Sequence, residues 1–467
     1  MTSYLDLPNE IVDHVIKFYV TDNSASKNFI PDSRCSEVFS NYINTELNLI
    51  SQLCENSSSD LCHMIQPYVL LNHNSHMQRM YIVENITQII KSLGFNTTDQ
   101  IHPCQEIASI AQSIDDTALK TAWPTIVDQI HDMDPNQNLD RNMSAAQIRV
   151  CMAQNAQLLQ RFTTLDLSEL DLYSLPKEIP LYFTGLQTLD LARNKLQTLP
   201  PQIESFVNLR SLDLTSNQFK TLPEEFGNLT RLRELSLADN MLTDLPEEFA
   251  KLSDMRRLDL SGNQFTALPV EILDLIKLRA LDLSKNNLED LPDEFGKLVR
   301  LKELDLSQNE LRTLPDDFKN LTRLEILDLC KNKLHALPNE FGNLAGLSEL
   351  NLSQNSLAAL PRTFNNLANH LHVLDLSNNR FKALPLIGDL VALQRLDLSK
   401  NFFETLPSFG NLVNVRELSL SQNPLKALPA RISSLVNLQK LSLNQNLFNT
   451  LPQRIRGLAN LRLEVFS

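Results

Sequence analysis

Asparagine recurs at positions 194, 217, 240, 263, 286, 309, 332, 355, 379, 401, 423 and 446, spaced by 23 residues seven times running and then by 24, 22, 22 and 23. A period this strict excludes a single globular core, because self-similar units of this length bury their apolar faces by stacking on one another. Around each asparagine the frame is Leu-x-x-Leu-x-Leu-x-x-Asn-x-Leu/Phe-x-x-Leu-Pro, as in Leu278, Leu281, Leu283, Asn286, Leu288, Leu291 and Pro292. One earlier turn, Leu165, Leu167, Leu172, Leu175 and Pro176, keeps the frame except that Leu170 stands where Asn belongs. Thirteen turns are therefore expected.

Each part of the frame has a physical task. The x-Leu-x-Leu-x run alternates with period two, which points leucines inward and polar residues outward from a short strand. Strands from successive turns then pair in parallel, and at ~4.8 Å per strand thirteen of them extend roughly 60 Å. An inward-facing asparagine must satisfy its carbonyl and both amide hydrogens, and the free backbone groups of the bend after the strand are the natural partners. Proline after each Leu lacks an N–H and suits the start of a helical turn. The acids that follow, such as Glu224, Glu225, Asp293 and Glu294, are then helix-start chemistry rather than a binding site.

Over residues 160 to 467 this frame resembles the leucine-rich-repeat family, in the 23-residue LDLSxNxLxxLPxxFGNL form. The resemblance implies an α/β solenoid with a parallel sheet on its concave face, about 13 repeats of 23 residues, and a concave surface that holds a protein partner. Outward strand positions carry an acidic column that includes Asp213, Asp259, Asp282, Asp305, Asp328 and Asp375. Basic residues such as Arg233 line the edge where the chain enters each strand. The column has two readings: a dedicated partner site, or the repeat's own consensus, kept for strand solubility and for pairing with neighbouring Arg. Departures from the column, Arg257, Ile326, His372, Arg395 and Phe402, are the candidate contact residues, since a few exposed anchors carry most of the energy of an interface.

The first 160 residues have helical spacing instead, as in Met80, Val83, Ile86 and Ile90 or Ile107, Ile110 and Ile114. The reading divides the chain into 1–45, a first helical segment, 46–143, an all-helical domain, 144–162, a helix capping the first turn, and 163–467, the repeats. The opening Leu7-Pro8-Asn9-Glu10-Ile11 with Val15 and Ile16 resembles the start of an F-box. That resemblance implies a helix whose Leu7, Pro8, Ile11, Val15 and Ile16 dock on the Skp-type adaptor of a cullin-RING ubiquitin ligase; a plain amphipathic helix begun by Pro is the other reading. The junction around Ile148 to Ser168 is similar to that of repeat proteins from bacteria that live inside eukaryotic cells, which would place the chain in a host cytoplasm.

The net charge of −14 removes the basic footprint that nucleic acid or anionic membrane requires, and residues 1–160 hold 8 Lys+Arg against 18 Asp+Glu. Six scattered cysteines without a CxxC pair fit a reducing compartment, so a cytoplasmic location is expected. With only 10 glycines, no phosphate-cradling motif occurs, and no cofactor is expected. Cys62, His63, His73 and His76 match no common zinc spacing, so no metal site is expected. Cys330 replaces a small residue of the frame and has no His placed to activate it. The sequence thus points to a non-enzymatic protein that recruits a target to a ubiquitin ligase, or else to a signalling scaffold or effector whose helices only cap the solenoid.

Overall fold

A computed structural model describes residues 103–137, 139–384, 389–406, 409, 411–428, 432–448, 455 and 461–464. The F-box-like residues Leu7 to Ile16 and most of 46–143 lie outside the described residues. Two compact units are distinguished, Met1–Ala118 and Leu119–Ser467, and the second contains the repeats.

Fourteen strands of three residues each form one sheet, every strand pairing in parallel with its sequence neighbours. They are β1 Thr164–Asp166, β2 Thr188–Asp190, β3 Ser211–Asp213, β4 Glu234–Ser236, β5 Arg257–Asp259, β6 Ala280–Asp282, β7 Glu303–Asp305, β8 Ile326–Asp328, β9 Glu349–Asn351, β10 Val373–Asp375, β11 Arg395–Asp397, β12 Glu417–Ser419, β13 Lys440–Ser442 and β14 Arg462–Glu464. The first thirteen are the turns expected from the frame. The fourteenth, Arg462-Leu463-Glu464, follows no Leu-x-x-Asn continuation and was hidden from the pattern. In each of β1 to β13 the central leucine is buried between two residues that point outward, as period-two alternation requires.

The asparagine ladder joins the turns. Asn286 donates to the carbonyls of Leu260 (3.0 Å), Leu283 (3.1 Å) and Ser284 (3.2 Å) and accepts from the Phe265 N–H at 3.1 Å. Leu260 and Phe265 belong to the preceding turn, so each asparagine satisfies the turn before its own. This explains the break in the first turn: no repeat precedes it, and Leu170 costs no bond. The Leu170 and Leu172 N–H groups are themselves taken by Asn194 (3.1 and 2.9 Å).

The residue before each ladder position is left-handed. Glu169, Arg193, Ser216, Asp239, Lys285, Gln308, Lys331, Gln354, Asn378, Lys400, Gln422 and Gln445 have φ between 52° and 58°, and Gly262 has 65°. A left-handed L residue costs roughly 1–2 kcal/mol. The conformation turns its N–H to the next turn, as in Lys285 N–H to Ser307 O at 2.9 Å, while the asparagine side chain reaches back. The ladder thus binds each turn in both directions.

On the far side of the core, short 3-10 turns follow proline caps with extended backbone, as at Pro223, Pro246 and Pro292. Their phenylalanines stack as a spine: Phe226 on Phe249 at 6.1 Å, then Phe295, Phe318, Phe341 and Phe364 at 5.9 to 6.4 Å, with Ile272 between the two blocks. The glycine after the ring has a steric reason. A Cβ on Gly296 would meet the Asp317 carbonyl oxygen at 2.2 Å, so only glycine lets the two turns approach.

The end before β1 is closed by helices. Helix α1, Pro103–Met133, contributes its part from Leu119 onward to the second unit. The Gln129 side chain accepts from the Asp166 N–H at 3.1 Å and donates to the Asp166 carbonyl at 2.6 Å, so one amide stands in for a missing strand at the sheet edge. Helix α2, Ala145–Gln154, begins with a capping box in which the Ser144 N–H donates to Gln147 Oε1 (2.9 Å) and Ser144 Oγ accepts from the Gln147 N–H (3.4 Å). Its Arg149 meets the buried Glu178 of helix α3, Glu178–Tyr182, at 2.5 Å, while Ile148 and Met152 are fully buried. The expected helix at 144–162 is thus interrupted at Asn155 before Ala156–Leu159.

Replacing Asn286 with Ala leaves the Phe265 N–H and the Leu260 and Leu283 carbonyls without their partner. Urea unfolding should show a loss of about 2–4 kcal/mol.

Candidate protein-binding face

Two outward residues per strand make the open face of the sheet. The third strand position carries Asp213, Asp259, Asp282, Asp305, Asp328 and Asp375, and the first carries Arg257, Ile326 and Arg395. Arg233 and His372 sit one residue before β4 and β10, on the leading edge. Phe402 departs from the expectation. It lies past Asn401, with its N–H on the Phe381 carbonyl at 2.9 Å, and is 54% exposed in the loop leaving β11 rather than on the sheet face.

The face holds two shallow depressions. The first runs over β3 to β8 and is lined by Asp213, Glu234, Arg257, Asp259, Asp282, Glu303, Asp305, Ile326 and Asp328 among others. The second runs over β10 to β13 with Asp375, Arg395, Asp397, Glu417 and Lys440.

The aspartates have a local task that the sequence did not reveal. Asp282 Oδ1 accepts the Ser284 N–H, Asp305 the Ser307 N–H, Asp328 the Cys330 N–H and Asp375 the Ser377 N–H, each at 2.8 Å. The carboxylate thereby caps the strand and starts the bend, as short Asp side chains do in Asx turns. Among the described residues these four aspartates make no ion pair with Arg, which one of the two readings of the column invoked. On the face, cations meet glutamates instead: Arg257 to Glu303 at 3.8 Å, Arg395 to Glu417 at 3.2 Å and Lys440 to Glu464 at 3.5 Å. Glu234, Glu303 and Glu349, on the first strand position, were not singled out from the sequence, although the period-two pattern places them outward.

Burial, with added repulsion from the neighbouring carboxylates, pushes Asp190, Asp282, Asp305 and Asp375 above the ordinary carboxylate range. At β9 the row is broken by Asn351, which keeps the bend by accepting the Ser353 N–H (3.1 Å) and donates to Asp328 Oδ2 at 2.9 Å. Cys330, half-buried beside Asp328, has its thiol pushed up to about 12 by burial and then by that carboxylate, so it carries almost no thiolate at neutral pH. Among the described residues no group of three or more His, Cys, Asp or Glu could hold a metal ion, and no helix is long and apolar enough to cross a membrane.

Comparison with known proteins agrees with this architecture. The family models "Leucine-rich repeat region" and "Leucine rich repeat" match residues 243–330 and 270–364, and 160–219, 207–265 and 369–425, respectively. Among solved structures, a leucine-rich-repeat protein of Leptospira interrogans is 34% identical over 67% of this chain and 93% of its own, with a TM-score of 0.57. The plant peptide hormone receptor RGFR1 in complex with RGF2 is 31% identical, over 65% of this chain and 55% of that one, with a TM-score of 0.54. An internalin of Listeria monocytogenes shares the fold at 22% identity, over 68% of this chain and 93% of its own, with a TM-score of 0.59. No curated protein matches the chain. The chain belongs to the leucine-rich-repeat proteins.

The raised aspartates carry a sign that can be checked. A carboxyl group whose folded pKa lies above its unfolded value binds more protons when folded, so stability falls as pH rises from about 4 through the raised value. Asp305→Asn keeps the bend acceptor, as Asn351 does, and removes the charge. Its urea midpoint should lie above that of the parent at pH 7, with the difference vanishing below about pH 4.

Proposed function

We propose that this chain is a non-catalytic receptor that holds a partner protein on its open sheet face. The observation that carries the reading is the face itself: two columns of charged and apolar side chains project from fourteen strands, and no described segment of the chain covers them. The plant receptor structure solved with RGF2 supports protein recognition as a use of this fold at 31% identity.

The test is photo-crosslinking in a lysate of the source cells with benzoylphenylalanine at Ile326, which is 41% exposed on β8, or at Ile276, 55% exposed away from the sheet face. A discrete protein adduct is expected from Ile326 and not from Ile276. No adduct at Ile326, or equal adducts at both, overturns the assignment of the face.

The finer reading is that the captured protein is a target for ubiquitin transfer. Leu7-Pro8-Asn9-Glu10-Ile11, with Val15 and Ile16, supports it through the F-box resemblance: the segment would dock on a Skp-type adaptor while the repeats select the substrate, in the cytoplasm of the producing cell or of a host. The chemistry would belong to the ligase. A second reading, a scaffold whose helices only close the solenoid, draws support from the Gln129 and Arg149 contacts at the β1 end.

Pull-down of a purified Skp-type adaptor separates the two. Adaptor should bind the full chain and be lost from a folded Leu7→Ala, Pro8→Ala variant; no binding by the full chain leaves the scaffold.

A further inference from the structure

The two depressions on the sheet face differ in how their charge is balanced. Around β10 to β14 cations partly offset the acids: Arg395 pairs with Glu417 and Lys440 with Glu464, while Asp375 and Asp397 have no ion pair among the described residues. On β5 to β8 the carboxylates of Asp259, Asp282, Asp305 and Asp328 stand in register on adjacent strands, and none of them takes part in an ion pair among the described residues. The one cation between them, Arg257, is engaged with Glu303. Each aspartate spends one oxygen on its bend, and only Asp328 has its second oxygen taken by a side chain of the next strand, that of Asn351. Bend formation does not explain why this half of the face lacks counter-charges that the other half has.

We propose that the face of β5 to β8 receives an α-helix of a protein partner that carries Lys or Arg on successive turns and lies along the solenoid axis. This deepens the reading of the sheet face as the partner-binding surface and rests on it.

Spacing selects the occupant. Adjacent strands are ~4.8 Å apart, and a helix climbs about 5.4 Å per turn, so over the three intervals of the row the two repeats drift apart by only about 2 Å. Lysine and arginine stems span that difference. An extended segment repeats the same face every ~6.6 Å and drifts by about 5 Å over the same row. The leading edge helps to fix the position, because Arg256, Arg279 and Lys302 precede β5, β6 and β7 and repel a basic helix that strays toward them. Ala280, at the middle of the first column, leaves room for the helix body.

The probe is a fluorescein-labelled, stapled Ala-rich helix with lysines at four successive turns of one face, compared with a peptide of the same composition whose lysines are spread around the helix. Fluorescence anisotropy uses the full chain, with circular dichroism to confirm folding of each variant; an amide at this strand position occurs natively as Asn351. The one-faced peptide should bind, and Asp282→Asn with Asp305→Asn should weaken it by about tenfold or more. Asp375→Asn with Asp397→Asn, the same charge change on β10 and β11, should leave affinity within about twofold.

Equal losses in the two double variants, or equal binding of the two peptides, would mean general attraction to an acidic chain and overturn the proposal, as would no binding at all. The Ile326 crosslink reads the face independently: a partner captured there without a basic helix refutes the helix and leaves the face.

Discussion

The asparagine side chain buried at the end of each strand is the interaction on which the solenoid depends. Strands of three residues cannot persist singly, and the bend after each leaves backbone donors and acceptors inside an apolar stack, where an unpaired group is costly. One amide answers this by bonding the preceding turn, while the left-handed residue before it sends its N–H to the following turn. A turn is therefore complete only between two neighbours. At the first turn the arrangement must end, and it does so with a leucine in the ladder position and with Gln129 acting as one peptide unit of an absent strand.

The charge of the sheet face follows partly from the same requirement. Aspartate at the third strand position accepts the N–H that opens the bend, so a column of carboxylates arises wherever the repeat is regular, whatever the face is used for. That construction has an electrostatic penalty, since half-buried carboxylates in register repel one another. Arg257 and Arg395 on the face pair with glutamates of the first column, and Lys440 with Glu464, rather than with the aspartates of this row. Recognition has to be sought in what departs from the construction: the residues of the first column and the uneven distribution of counter-charge along the sheet.

Much of this was legible in the residues. The period, the inward leucines, the ladder, the proline-started turns and the outward columns all follow from spacing and side-chain chemistry. Other features were not, for identifiable reasons. The left-handed positions are filled by Glu, Arg, Ser, Lys, Gln, Asp and Asn, with glycine only at 262, so composition does not mark them; tertiary bonding forces the conformation. The strand Arg462–Glu464 lacks the continuation that identifies a turn. Gln129 looks like any polar residue on a helix, and its bond to Asp166 spans 37 residues. Phe402, one residue past the ladder asparagine, stands outside strand β11, where the frame itself puts it. The resemblance at Leu7 to Ile16 concerns residues outside those described.

The phenylalanine spine bears on how the stack comes apart. Rings at 226 and 249 form one column and those at 295, 318, 341 and 364 another, and the branched aliphatic Ile272 separates them. Face-to-face rings resist sliding and tilting of one turn over the next more strongly than an isoleucine does. In a chain whose stability is a sum of nearest-neighbour terms, the weakest term sets where cooperativity divides. The solenoid is thus built as aromatic blocks with a softer joint at the turn of Ile272, and mechanical load along its axis concentrates there, directly behind the strands β5 and β6.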